Sequence, residues 1–284
     1  MSFLKAACVQ MNAGPDVSEN LKTAETFVRE AAGQGAQFVV TPEHTCHVRF
    51  PAEGMLESAF SQDEHPGVSF FSDLARELGV WLLIGSMAVK VSEDKLLNRS
   101  FLFSDQGDLV ATYDKIHLFD VALPTGEVHR ESDLIKPGEM AVVASTPWAK
   151  VGMSICYDVR FPHLYRDLAK AGASILAVPA AFTVPTGRAH WEILLRARAI
   201  ETGSFVMASA QTGEHEGGRR TWGHSMIINP WGEVLAVAES EPGVILAELN
   251  LGAVAKTRRT IPALQHDRLY EVIPASSEAL AKKD

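Results

Sequence analysis

Short apolar runs alternate along this chain with stretches whose apolar residues recur every three or four positions, the pattern of strands and amphipathic helices in a layered α/β fold. A first strand is predicted over residues 4–10. A helix over 17–33 follows, with Leu21, Ala24, Phe27, Val28 and Ala31 at helical spacing and Gly33 and Gly35 closing it. Residues 37–41 read as a second strand stopped by Pro42. The alternation continues with a helix over 68–78, a strand over 80–85, and strands over 97–103 and 109–113 joined by a turn at 105–108. After an unpatterned polar stretch from 117 to 139, the chain predicts a strand over 149–155, a helix over 163–171, a strand over 174–178, a helix over 190–202 and a strand over 205–210. Strands over 225–229, 234–237 and 244–248, with a tight turn at 229–232, read as a hairpin or meander. No linker, repeat or low-complexity tract divides the chain, so one domain over 1–284 is expected, with a flexible carboxyl tail from about 271.

Composition narrows the function. With 284 residues and 46% hydrophobic content the chain can bury a large core without disulfide or metal staples. Lys and Arg number 26 against 35 Asp and Glu, and no basic stripe offers the phosphate neutralisation that nucleic-acid binding requires. No apolar run approaches the ~20 residues of a membrane span, and the one near the start is too short for a signal-peptide core. Three cysteines, at 8, 46 and 156, form no disulfide framework and point to a reducing, cytoplasmic compartment.

Several familiar motifs fail. Gly33-Gln34-Gly35 begins like a dinucleotide loop, but Phe38 occupies the third glycine position and the glycines end a helix instead of opening one. Gly152-Met153-Ser154-Ile155 begins like a serine elbow, yet position 156 is Cys where the elbow needs Gly. Glu43, His44, Cys46 and His47 are dense in metal-ligating types, but no CxxC or HxxxH companion completes a set, so no metal is expected.

The strand ends are more informative. Cys156 lies between the apolar segment AKVGMSI and YDVRFPHL, at a strand-to-helix corner where a nucleophile meets backbone N–H donors. Glu43 follows the strand QFVVT, and Lys115 follows LVATY. Each occupies the carboxyl end of an apolar strand, the edge on which ligands bind in layered α/β proteins. Cys8, inside a strand, reads as a small core hydrophobe.

The blocks TPEH (41–44), YDKIHLFD (113–120) and GMSICYDVRFP (152–162) resemble, in order, the three signature blocks of the nitrilase, or carbon–nitrogen hydrolase, superfamily. The resemblance runs from CVQMNAG (8–14) to GHSMIINPWGEVLA (223–236), and AHWEILLRARAIET (189–202) brings it nearest to the Nit-type amidases. It implies an αββα sandwich, a catalytic triad of Glu43, Lys115 and Cys156, dimers that extend the sandwich, and no cofactor. A thiol near pKa 8.5 is mostly protonated at neutral pH, so an adjacent base must activate it. Glu43 would serve as that base, with Lys115 and the backbone N–H of Tyr157 stabilising the oxyanion.

Glu131 resembles a further family glutamate and is expected to position Lys115 or the substrate. Arg160 is a candidate partner for a substrate carboxylate, or else a structural ion-pair partner of Asp158. Phe182 and Thr186 are candidate pocket residues. Trp191 reads as packing, and Glu192 as a cap or ion-pair residue. The segment His44, Thr45, Cys46, His47 and Arg49 is more polar than its counterpart in Nit-type enzymes, which suits a polar or anionic acyl group. The expected activity is release of ammonia from a small carboxylate-bearing amide, with deaminated glutathione the first substrate to try and 2-oxoglutaramate the second. Nitrile or N-carbamoyl amine hydrolysis by the same triad, and a non-catalytic sandwich scaffold, are the alternatives.

Overall fold

The computed structural model describes residues 3–49, 53–123 and 126–272. The first half runs β1 (Phe3–Gln10), α1 (Val17–Gly33), β2 (Phe38–Val40), α2 (Glu53–Glu57), α3 (Pro66–Leu78), β3 (Trp81–Lys90), β4 (Leu96–Phe103) and β5 (Leu109–Asp114). A hairpin of β6 (Asp120–Ala122) and β7 (Val128–Arg130) leads to β8 (Val142–Ser145), β9 (Lys150–Met153), α4 (Pro162–Lys170) and β10 (Ile175–Ala177). Then come α5 (Val184–Thr202), β11 (Phe205–Ala208), β12 (Thr212–Glu214), β13 (Arg220–Trp222), β14 (Met226–Ile228), β15 (Val234–Val237), β16 (Gly243–Asn250) and α6 (Gly252–Thr260).

Two six-stranded sheets, ordered β16-β1-β2-β3-β4-β5 and β15-β14-β11-β10-β9-β8, form the centre. Alternation along β1 explains the layering. Ala6 and Cys8 point to the second sheet, where they share a buried cluster with Met153, Leu176 and Met207. Ala7 and Val9 point the other way, against Leu21, Ala24 and Val28 of α1 and beside Phe71 and Leu74 of α3. Helices α4 and α5 cover the second sheet with Leu164, Leu168, Leu195 and Ala199. The result is the expected αββα order. Each fully buried Leu or Phe in these layers contributes ~1.5–3 kcal/mol of transfer free energy.

Three expectations need correction. Strand β16 does not continue the meander: β14 and β15 pair with each other, whereas β16 crosses to the first sheet and pairs antiparallel with the whole of β1. Its two faces explain this, since Val244 and Leu246 pack with the helix-side cluster and Ile245 and Ala247 with the inter-sheet cluster. A strand apolar on both faces belongs between two layers. The stretch 117–139 is not wholly irregular, because it holds the β6–β7 hairpin and a 3-10 turn at Glu131–Asp133. Helix α5 begins at Val184 rather than 190, with Pro185 pre-organising its first turn. The tail expected from about 271 lies, from 273 on, outside the described residues. No helix among the described residues is long and apolar enough to cross a membrane.

Two glycines let the strand ends approach closely. A Cβ on Gly85 would lie 2.2 Å from the carbonyl oxygen of Thr41, and one on Gly138 would lie 2.2 Å from that of Asp114. Gly85 sits where the β3–β4 register shifts, and the next residue, Ser86, accepts the N–H of His44 on its hydroxyl and that of Thr45 on its carbonyl. Gly138 donates its N–H to the Lys115 carbonyl at 2.8 Å. Both corners are thereby held by backbone.

Candidate active site

The three corners converge. Lys115 Nζ lies 2.8 Å from Glu43 Oε1 and 2.9 Å from Glu131 Oε2, with Glu43 and Lys115 each only 2% exposed. Asn98, pointing inward from β4, donates from Nδ2 to Glu43 Oε1 at 2.9 Å and to Glu131 Oε1 at 3.3 Å. The backbone N–H of Phe119 donates to Glu131 Oε2 at 2.7 Å, fixing that carboxylate across the ammonium. Gln211 donates from Nε2 to the carbonyl of Glu43 at 3.0 Å.

Cys156 opens a 3-10 turn, Cys156–Arg160, with φ of 50°. A left-handed conformation is uncommon for a side-chain-bearing residue, and here it turns the thiol out of the strand line into the cavity. The N–H of Cys156 donates to Pro179 O at 2.8 Å. Asp158, fully buried, locks the turn by accepting the N–H of Ile155 and the hydroxyl of Tyr113 on Oδ2, and the N–H and Nδ1 of His117 on Oδ1. One carboxylate therefore ties the nucleophile corner to the Lys115 corner. The thiol, 6% exposed, makes hydrogen-bond contact with the Glu43 carboxylate and the backbone of Ala181. The N–H of Tyr157 belongs to the first turn, whose donors have no partner within the turn.

Electrostatics divides the groups. Burial acts to raise the Glu43 carboxyl, but the charge of Lys115 and its hydrogen bond prevail and hold it below the ordinary carboxylate range. Burial acts to neutralise Lys115, and Glu131 and Glu43 overcome it, leaving the ammonium charged. Burial, reinforced by the Glu43 charge, pushes the Cys156 thiol well up despite Lys115. Glu43 is thereby kept ionised beside the thiol, with Lys115 as its counter-charge.

A cavity opens over these groups, and Glu43, Lys115, Glu131, Cys156, Tyr157, Phe182 and Thr186 all line it. Arg160 does not. Its guanidinium lies over the rings of Tyr157 and Phe182, 5.7 and 5.4 Å from their centroids, and 3.3 Å from His190 Nδ1, and Asp158 is engaged elsewhere. Trp191 packs in the core and donates to His224 O. Glu192 forms an ion pair with Arg196. Of the polar segment after Glu43, only His44 and Arg49 face the cavity; Thr45 hydrogen-bonds to Pro42 O, Cys46 packs against the helix layer, and His47 approaches Ser58. Residues that sequence reasoning missed include Asn98, Asp158, Phe119 and Arg219. Their only signal is a polar or aromatic side chain near a strand end or in a turn.

Comparison with known proteins gives the family. The carbon–nitrogen hydrolase family model matches residues 5–259. A deaminated glutathione amidase from Yersinia enterocolitica is 38% identical, covering 98% of both chains, and an omega-amidase NIT2 from Danio rerio is 38% identical over 96% of this chain and 98% of its own. The crystal structure of Saccharomyces cerevisiae Nit3, a member of branch 10 of the nitrilase superfamily, superposes with a TM-score of 0.85 at 30% identity, covering 94% of this chain and 97% of that one. The chain belongs to the carbon–nitrogen hydrolase family.

Proposed function

We propose that the chain hydrolyses the amide of a small carboxylate-bearing acid, releasing ammonia through a thioester on Cys156. The convergence of a thiol, a carboxylate and an ammonium at three strand ends, lining one cavity, carries this reading. The Cys156 sulfur attacks the amide carbonyl carbon while the thiol proton passes to Glu43 and the carbonyl π pair moves onto oxygen. Burial disfavours a free thiolate, which supports proton transfer in step with attack. Lys115 has three N–H donors; two face Glu43 and Glu131, and the third, with the N–H of Tyr157, meets the oxyanion. Collapse breaks the C–N bond, and Glu43 returns its proton to the departing ammonia. Water then attacks the thioester with Glu43 as base, and the acid leaves as Glu43 reprotonates the thiolate. Amide plus water gives acid plus ammonia.

The name of the Yersinia enterocolitica relative makes deaminated glutathione the first substrate to test, and that of the Danio rerio relative, an omega-amidase, supports an ω-amide as the second, for which 2-oxoglutaramate is the choice. A hydrolysis screen over these amides, N-carbamoyl amines and nitriles decides, with cysteinylglycine the amine read from deaminated glutathione and ammonia that from primary amides and nitriles; carbon dioxide alongside ammonia would mark carbamoyl hydrolysis instead. Three buried free thiols suit a reducing compartment, which supports a cytoplasmic enzyme. The core shared by both sheets supports one hydrolase domain. A homodimer is supported by the outer face of α5, where Ile193 and Ile200 lie two turns apart and are 70% and 55% exposed, with Trp231 (53%) in the neighbouring turn. Light scattering on Ile200→Glu tests it: loss of dimer supports this face, and an unchanged dimer excludes it.

A further inference from the structure

The cavity has a charge the whole protein lacks. Its lining carries Arg49, Lys115, Arg130 and Arg219 against the two carboxylates Glu43 and Glu131, whereas the chain as a whole is −9. Both carboxylates face Lys115, and Arg49, Arg130 and Arg219 line the same cavity.

Arg219 is the best placed of them. It lies in the β12–β13 connection, which is closed by His215 N–H to Arg219 O at 2.8 Å and anchored by the buried His215 ring between Ala13 O and Thr221 Oγ1. This anchoring fixes the base of the loop, whose tip at 216–218 is exposed while Arg219 is half-buried. The Arg219 guanidinium donates to Ala181 O at 3.1 Å, and Ala181 is the residue whose backbone touches the Cys156 thiol. Arg49 enters from a different wall, its stem lying across Gly54 of α2, where a Cβ would meet Arg49 Nε at 2.7 Å. Arg130 is exposed at the rim. His44 and His129, also in the lining, are both pushed down by burial, with the Arg219 charge acting in the same direction, so arginine supplies the positive charge there.

We infer that Arg219, assisted by Arg49, is the specificity determinant that holds the carboxylate of the amide substrate, in place of Arg160. This rests on the hydrolase reading above. A guanidinium matches a carboxylate in a planar, bidentate fashion and keeps its charge at every working pH. The preferred substrates are therefore ω-carboxyl primary amides, and uncharged amides of equal length are poor ones.

Steady-state kinetics with glutaramate and the uncharged pentanamide test this. Arg219→Gln should raise KM for glutaramate about 10- to 100-fold, with kcat within about threefold and pentanamide kinetics unchanged. Arg219→Lys should recover part of the loss, Arg49→Gln should show a smaller shift of the same kind, and Arg160→Gln should leave the preference intact. Equal losses on both amides, no change on either, or loss of the preference in Arg160→Gln instead would overturn the assignment. Pentanamide turnover by the wild type separates the two readings: if it persists while Arg219→Gln leaves glutaramate KM unaltered, only the carboxylate site falls. If the wild type hydrolyses neither amide, both fall.

Discussion

Cys46 and Cys156 are both buried thiols a few residues past a strand end, and burial raises both. Their surroundings differ. Cys46 packs between sheet and helix layer, close to Gly67 and Met87, and its neighbour His47 is likewise buried. Cys156 has a carboxylate in contact, an ammonium beyond it and a cavity in front. Burial alone makes a thiol inert; chemistry requires a partner that can take its proton and a space for the acyl group. The first corner has the surroundings of a packing residue, and the second has those the proposed reaction needs.

Substitutions should separate the corners in graded order. Cys156→Ala should lower amide turnover by at least about 1,000-fold with circular dichroism and melting temperature nearly unchanged. Glu43→Gln and Lys115→Met should each cost about 100- to 1,000-fold in kcat, because one removes the base and the other an oxyanion donor. Glu131→Gln should cost about 10- to 50-fold, mainly in kcat, since it loosens Lys115 without touching the thiol. Cys46→Ala, at the other extreme, should leave kcat/KM within about twofold and cost about 1 kcal/mol of stability, read from denaturant unfolding.

The same contrast has a pH signature. His47 is pushed down to about 4 by burial, with the charges of His44 and Arg49 adding to it, and His65 to about 4 by burial and then His47. Both start from 6.5, so the unfolded chain takes up their protons first. Their contribution is complete above about 6.5 and is lost as pH falls toward 4, so the melting temperature should drop over that interval. His65→Asn should flatten the drop. A melting temperature constant from pH 7 to 4 would contradict the buried neutral state of these rings.

The convergence of Glu43, Lys115 and Cys156 was legible because each follows an apolar strand, and a strand's end is encoded by its own run of residues. Asn98, Asp158 and Arg219 were not. Asn98 sits mid-strand, where only the pairing of β4 between β3 and β5 reveals that it faces two carboxylates. Asp158 looks like any loop charge until the fold brings Tyr113 and His117 to it from 45 and 41 residues away. Arg160 was legible as a carboxylate binder by its position after Cys156, yet its side chain settles on two aromatic rings, outside the cavity lining. In the fold, β16 reads locally like the third strand of a meander. Its departure is decided by β1, whose free edge and two apolar faces lie 233 positions away at the pair Gln10 and Gly243.

The most direct test is amide hydrolysis of deaminated glutathione by wild type, Cys46→Ala and Cys156→Ala, read as cysteinylglycine released and measured side by side on proteins shown to be folded. Near-equal rates are expected for the first two and background for the third. Hydrolysis by folded Cys156→Ala within about tenfold of wild type, or its loss in Cys46→Ala alone, would contradict the role of Cys156.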